Sequence, residues 1–355
     1  MSKEPNQQQQ ITQRKQDHIR AILEDPQIER HSDFEQIRLM HRALPEIDYA
    51  QVDTSCEFLG KKLRFPFLIS SMTGGAAQNL QQINRHLAEA AESSQVAMAV
   101  GSQRTMIRNA SAEESFKIRQ YAPSIPLIAN IGAVQLNYGF GADEIRRAVD
   151  ILQADAIYLH LNPLQEIIQP EGDSNFSALA DKIAKLAAQI EQPIILKEVG
   201  SGLSPQDIQL GLDAGIEWFD LAGHGGTSWS RIEAHRSDND LGILLQDWGL
   251  STCESLYLAQ PFIPQAKLIA SGGIRSGIDM LKSVVMGARL AGVAAPLLQP
   301  AMTSSDEVAA KIAQFHQEFT AGQFLLGIEK FADLHFNSDL ILQSPWHSLS
   351  KKRSG

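Results

Sequence analysis

The chain has 355 residues, 43% hydrophobic and 20% charged, enough to bury a sizeable core in one large domain or two average ones. A formal net charge of −10 argues against a nucleic-acid partner, although a local cluster of cations can still hold a small anion. Cys56 and Cys253 are far apart and suit a reducing compartment. No run of about 18 apolar residues and no apolar leader occurs, so the expectation is a cytoplasmic protein without a membrane partner.

In chain order, residues 1–60 read as an N-terminal extension that includes Arg14-Lys-Gln-Asp-His18. Short apolar runs then alternate with amphipathic stretches of helical period. Strands are expected at Pro66–Ser70, Val96–Val100, Pro126–Asn130, Ala156–Leu161, Ile194–Glu198, Trp218–Ala222, Leu268–Ser271 and Leu290–Ala294. Helices are expected at Leu80–Glu92, Ala112–Tyr121, Ala142–Leu152, Ala178–Ile190, Pro205–Ala214, Ser251–Gln260, Ile278–Met286 and Asp306–Gly322. Eight strand–helix repeats predict an α/β fold, a (β/α)8 TIM barrel over residues 61–340, with an N-terminal extension and a C-terminal helical tail. Residues 341–355 read as a polar tail. Ser228–Gly249 reads as a long loop, rich in charge and Trp, of the kind that serves function.

The chemistry-bearing residues sit where strands end. His160-Leu-Asn-Pro-Leu-Gln-Glu166 follows Ala156-Ile-Tyr-Leu159 and gathers His160, Asn162, Gln165 and Glu166, none of which a core requires. Lys197 follows the apolar Pro193-Ile-Ile-Leu196, where an unpaired ammonium is costly, so an anionic partner is expected. Ser271-Gly-Gly-Ile-Arg-Ser-Gly277 follows the seventh strand, where barrels often hold phosphate on exposed N–H groups. Ala294-Ala-Pro296 leaves room beside it. Thr73, Ser102 and Asn130 end the first three strands with groups that could address a heterocycle, although turn and cap chemistry uses the same residue types.

Taken together, Arg14-Lys15 with Asp17-His18, Ser70-Ser-Met-Thr-Gly-Gly75, Gly101-Ser-Gln-Arg104, the His160–Glu166 run, Lys197-Glu-Val-Gly200, Gly225-Gly-Thr-Ser-Trp229 and Ser271-Gly-Gly-Ile-Arg275 resemble the type 2, FMN-dependent isopentenyl-diphosphate isomerases. The resemblance implies interconversion of isopentenyl and dimethylallyl diphosphate with reduced FMN, Mg2+ and NADPH or NADH as reductant. It implies that Met72, Thr73, Gly74, Ser102, Asn130, Lys197 and Thr227 hold the flavin ring and side chain. Gly272, Gly273, Ile274, Ala294 and Ala295 would line its phosphate. Glu166 would bind Mg2+; Arg14, Lys15, Arg104, His160 and Asn162 would hold the diphosphate; Gln165 would sit beside the reacting carbons. Gln165, Lys197 and His160 are the catalytic candidates, and the resemblance implies a homotetramer or homo-octamer. Ser230–Asp247 receives no residue-level assignment.

The nearest alternative is an FMN-dependent α-hydroxy-acid oxidase or dehydrogenase. Ser271-Gly-Gly-Ile-Arg-Ser-Gly277 and Gly223-His-Gly-Gly226 suit that family, but Thr227 stands where its substrate-binding arginine is expected, and it explains neither Glu166 nor Arg14-Lys15. A flavin-binding scaffold without catalysis would have no use for His160, Gln165 and Glu166 together.

Overall fold

Eight parallel strands close on themselves in sequence order in the computed structural model, which describes residues 20–22, 24–72, 78–237 and 240–346. They are Phe67–Ile69 (β1), Ala97–Ala99 (β2), Leu127–Gly132 (β3), Ala156–Leu161 (β4), Ile194–Glu198 (β5), Trp218–Asp220 (β6), Lys267–Ser271 (β7) and Ala288–Val293 (β8), with β8 pairing back onto β1. Most positions in these strands are buried, as expected of parallel strands covered by helices on one face and filling a barrel on the other. The eight expected strands are all present, within about two residues at each end.

The outer helices follow from amphipathic stretches with capping signals. Ser204, Ser251 and Ser276 each accept an N–H bond from the third residue of the following helix, while the acidic residue there, Asp207, Glu254 or Asp279, returns the bond. These caps start α6 (Pro205–Asp213), α9 (Thr252–Ala259) and α10 (Gly277–Val285); the other helices before β8 are α1 (Gln78–Ser94), α2 (Arg104–Arg108), α3 (Ala142–Leu152), α4 (Pro163–Ile168), α5 (Leu179–Ala187), α7 (Trp229–Ser237) and α8 (Asp240–Leu244). After β8 come α11 (Ala295–Thr303) and the long α12 (Ser305–Leu325), which packs against α1 and α10.

Two local expectations are corrected, and one short helix is added. Ala112–Tyr121 is not one α-helix: α2 is followed by 3-10 turns at Ala110–Phe116 and Arg119–Tyr121, which tuck Ala112 and Phe116 into the core. The stretch after Asn162 is helical, with Pro163 at its first turn, where a missing N–H costs nothing. Ser228–Gly249 is mostly α7 and α8 rather than loop.

One end of the barrel is closed by the hairpin Cys56–Phe58/Lys61–Leu63, whose Phe58 ring meets Trp218, at the start of β6, edge-on at 4.9 Å. The other end carries the strand C-termini. There the segment 28–30 crosses the mouth, with Arg30 N–H donating to Gly226 O and Ser228 N–H to Ile28 O. Ile28 is fully buried, which contributes roughly 2 kcal/mol to holding the segment down. Residues 38–39 pair with 341–343, joining a segment before the barrel to one after it. Among the described residues no helix is long and apolar enough to cross a membrane.

Candidate functional site

A single cavity of about 250 Å3 opens among the strand C-termini. Met72, Ser102, Arg104, Asn130, His160, Asn162, Gln165, Glu166, Lys197, Thr227, Gly272, Gly273, Ile274, Ala294 and Ala295 all line it. Every site candidate within the described residues therefore faces one space. Arg14, Lys15, Thr73 and Gly74 lie outside the described residues.

Strand register creates a row across the barrel: Gly132 pairs with His160, His160 with Lys197, and Lys197 with Asp220. Glycine at 132 makes room for the imidazole, since a Cβ there would stand 3.0 Å from His160 Nε2. Asn130 orients the ring. Its amide nitrogen donates to Val100 O and Ser71 Oγ, both at 3.0 Å, so its oxygen faces His160 Nδ1 at 2.7 Å and must accept that proton. Burial, with the charges of Lys197 and Arg104, pushes His160 down to about 4, which leaves it neutral near pH 7.

Lys197 finds its expected anion within the protein. Its ammonium donates to Asp220 Oδ2 at 2.9 Å and to Ser271 Oγ at 3.0 Å. Asp220, wholly buried, also accepts from Tyr158 Oη at 2.8 Å and Ser271 Oγ at 2.5 Å. Glu198, the next residue along β5, accepts from the N–H groups of Val199, Gly200 and Ser201 and so shapes the loop beside the cavity. Burial pushes its carboxyl up to about 7.

The wall built from the end of β4 and from α4 is polar. Glu166 on α4 accepts from Asn162 Nδ2 at 2.9 Å, Gln169 Nε2 at 2.8 Å and Asp173 N–H at 2.6 Å. The last bond exists because the chain folds back at Gly172, where a Cβ would stand 1.8 Å from Glu166 O. Burial raises the Glu166 carboxyl above the usual range. Asp173 forms an ion pair with Arg104 at 2.8 Å and accepts from Gln135 at 2.8 Å. Gln165 is held at both ends of its amide: its oxygen accepts from Asn162 at 3.1 Å and its nitrogen donates to Glu233 on α7 at 2.8 Å. Glu233 is fully buried and pairs with Arg236.

The residues present fit a cation beside Glu166. Asn162 Oδ1 and Gln135 Oε1 are buried acceptors without partners, on side chains that line the same cavity. Unmet oxygen acceptors next to a carboxylate suit a hard, hydrated cation. Among the described residues no group of three or more His, Cys, Asp or Glu could form a cage, so such an ion would need ligand or water oxygens as well.

The seventh- and eighth-strand loops fit a phosphate-bearing group. Gly272 and Gly273 have φ +92 and +75, and a Cβ on Gly226 would stand 2.7 Å from Gly273 N. This close glycine contact leaves backbone, rather than side chains, lining the cavity, with the capped start of α10 next to it. Above it Glu29 accepts from Thr227 Oγ1 at 2.5 Å and pairs with Arg275 at 3.2 Å.

Four residues of this network are not apparent from the motifs alone: Asp220, Glu233, Asp173 and Tyr158. Glu233 had the most accessible signal. Reading 229–237 as a helix would have prompted the question of which of its faces meets the cavity.

The sequence profile of a family described as FMN-dependent dehydrogenase matches residues 8–124 and 144–341. The chain is 64% identical over 337 residues to an isopentenyl-diphosphate delta-isomerase of Hydrogenovibrio crunogenus, covering 94% of this chain and 98% of that protein. It is 54% identical over 341 residues to the protein of the same name from Paracoccus zeaxanthinifaciens, again covering 94% and 98%. Among solved structures, a flavocytochrome b2 variant with sulfite bound superposes with a TM-score of 0.67 at 19% identity, covering 94% of this chain and 84% of that one, a likeness of fold.

Proposed function

We propose that this chain, which belongs to the FMN-dependent dehydrogenase family and within it to the isopentenyl-diphosphate delta-isomerases, interconverts isopentenyl and dimethylallyl diphosphate. The observation that carries this reading is the shared cavity, which a glycine-lined phosphate cradle, Lys197 and the Glu166–Asn162–Gln165 cluster all line. An α-hydroxy-acid oxidase would use the histidine of Gly223-His-Gly-Gly226, and His224 is not among the residues lining the cavity, whose histidine is His160.

Mechanism follows from what each group can do. Bound in reduced form, FMN supplies an electron-rich ring able to stabilise positive charge at an alkene carbon and to exchange a proton there. Gly272, Gly273, Ile274, Ala294 and Ala295 would hold its phosphate, and Met72, Ser102, Asn130, Lys197 and Thr227 its ring and side chain, with Thr73 and Gly74 in the same stretch. Glu166 would bind Mg2+, and Arg104 the diphosphate, joined by Arg14 and Lys15; Asn162 would reach the diphosphate through the cation its free Oδ1 faces, and His160 by taking up a proton at Nε2 as the diphosphate binds. Fixing the charged tail places the apolar end at Gln165, so binding energy far from the alkene serves orientation. Gln165 would orient that end, and Glu233, which accepts from its amide and pairs with Arg236, is a buried carboxylate that could take up a proton lost on the Gln165 side and return it.

NADPH or NADH as reductant, residence in the cytoplasm and assembly into homotetramers or homo-octamers belong to the same proposal. Exposed Ile167, Leu244 and Trp248 are apolar surface that an assembly would cover. The test is a comparison under anaerobic conditions with FMN and Mg2+: conversion of isopentenyl diphosphate against oxidation of lactate or glycolate. Turnover of the hydroxy acids alone would replace this reading with the oxidase one.

A further inference from the structure

We infer that Asp220 is a positioning residue that sets the electrostatic pull of Lys197 on the flavin and thereby the reduction potential of bound FMN; this rests on the flavin reading above. The geometry is that of a charge held in check. Lys197 lines the cavity, whereas Asp220 does not, so the carboxylate stands behind the ammonium as seen from the ligand space. The pair is only 2.9 Å apart and both side chains are almost wholly buried, so little water screens either charge.

Three donors converge on Asp220: Lys197, Tyr158 Oη and Ser271 Oγ. The Ser271 hydroxyl also accepts from Lys197, which closes a small ring of bonds around the ammonium. The Tyr158 ring lies 5.5 Å from Lys197 Nζ and adds a second weak attraction. Its hydroxyl is held far above the ordinary tyrosine range by burial and by Asp220, so it remains a donor. Lys197 can neither swing toward a ligand nor present a full uncompensated charge. What reaches the flavin is the field of a nearly neutral pair, with the positive end nearer. The reduced ring thus keeps more of its electron density than it would beside a lone ammonium, which suits a flavin that must give density to an alkene.

The consequence has a sign. Reduction adds negative charge to the ring, and removing the carboxylate behind Lys197 removes an opposing charge. Asp220→Asn is expected to raise the potential of bound FMN at pH 6, measured against a reference dye. The expected change in the reduction equilibrium is at least tenfold, about 30 mV for a two-electron couple. A reduction equilibrium shifted by less than tenfold, or shifted toward oxidised FMN, overturns the inference. Should Asp220→Asn not retain FMN, Tyr158→Phe carries the test. It keeps both charges but removes one donor from Asp220, so more of the carboxylate's charge opposes Lys197. The potential should then fall about threefold in equilibrium terms, and no change or a rise overturns the inference. Failure of the underlying flavin reading is distinguishable, because the parent protein itself would then bind no FMN.

Discussion

The Gln165 amide nitrogen donates to Glu233 Oε1 across 2.8 Å, joining α4, which follows β4, to α7, which follows β6. With Asn162 holding the amide oxygen, the plane of Gln165 is fixed before any ligand arrives. Gln165→Ala and Glu233→Gln are each expected to lower kcat about 100-fold or more, the scale of a lost proton-transfer group, with little change in KM. FMN content should match the parent protein, since neither side chain belongs to the cradle. Steady-state kinetics with flavin absorbance checks both; a large rise in KM with kcat intact would assign the pair to substrate binding instead.

Glu166→Gln should raise the Mg2+ needed for half-maximal diphosphate binding about tenfold, or ~1.4 kcal/mol. Burial also raises the Glu166 carboxyl, so protons compete for it at a higher pH than for an exposed glutamate. Magnesium affinity should therefore fall as pH falls, and should fall less in the glutamine variant. Calorimetric titration of Mg2+ with inorganic diphosphate at two pH values reads both effects.

Two half-buried histidines make the fold acid-sensitive. Burial pushes His160 and His335 down to about 4, from an ordinary value near 6.5. The unfolded chain takes up these protons first, so stability is fully present above pH 6.5 and is lost as pH falls toward 4. Each group accounts for roughly 3 kcal/mol across that window. His335 lies away from the cavity and bonds Gly287 O, so His335→Asn isolates the effect from ligand binding. The stability lost between pH 7 and 4.5, from urea unfolding, should be about 2 kcal/mol smaller in the variant.

Gly272 combines φ +92 with a Cβ position 2.2 Å from Gly223 O. Gly272→Ala should lose FMN and lower the thermal midpoint, because both backbone strain and a backbone clash oppose it. Gly215, at φ +83 with nothing within 4 Å of its Cβ position, provides the control. Gly215→Ala should cost only about 1 kcal/mol and leave FMN binding intact. Equal FMN loss in both would mean that strain alone, rather than the cradle, decides binding.

The barrel was legible because buried parallel strands are short, continuous apolar runs with glycine or hydroxyl residues where they end. Ala112–Tyr121 misled because Ala112 and Phe116 stand at helical spacing, yet they reach the core from 3-10 turns. Asp220 was hidden in Trp218-Phe-Asp-Leu-Ala222, where it reads as one polar interruption of a strand. Its meaning depends on the β5–β6 register that sets it opposite Lys197, a relation no linear spacing carries. Glu233 was hidden for a different reason: its helix has so little amphipathic character, in Trp229-Ser-Arg-Ile-Glu-Ala-His-Arg-Ser237, that the segment reads as loop.

The central claim is that one cavity joins a flavin cradle to a diphosphate clamp for an isomerisation without net redox change. The most direct measurement is anaerobic incubation of the purified protein with reduced FMN, Mg2+ and isopentenyl diphosphate in deuterated water, followed by NMR. The account predicts dimethylallyl diphosphate carrying solvent deuterium, while the flavin spectrum stays that of the reduced form. Unchanged substrate, or product formed only as the flavin becomes oxidised, would contradict it.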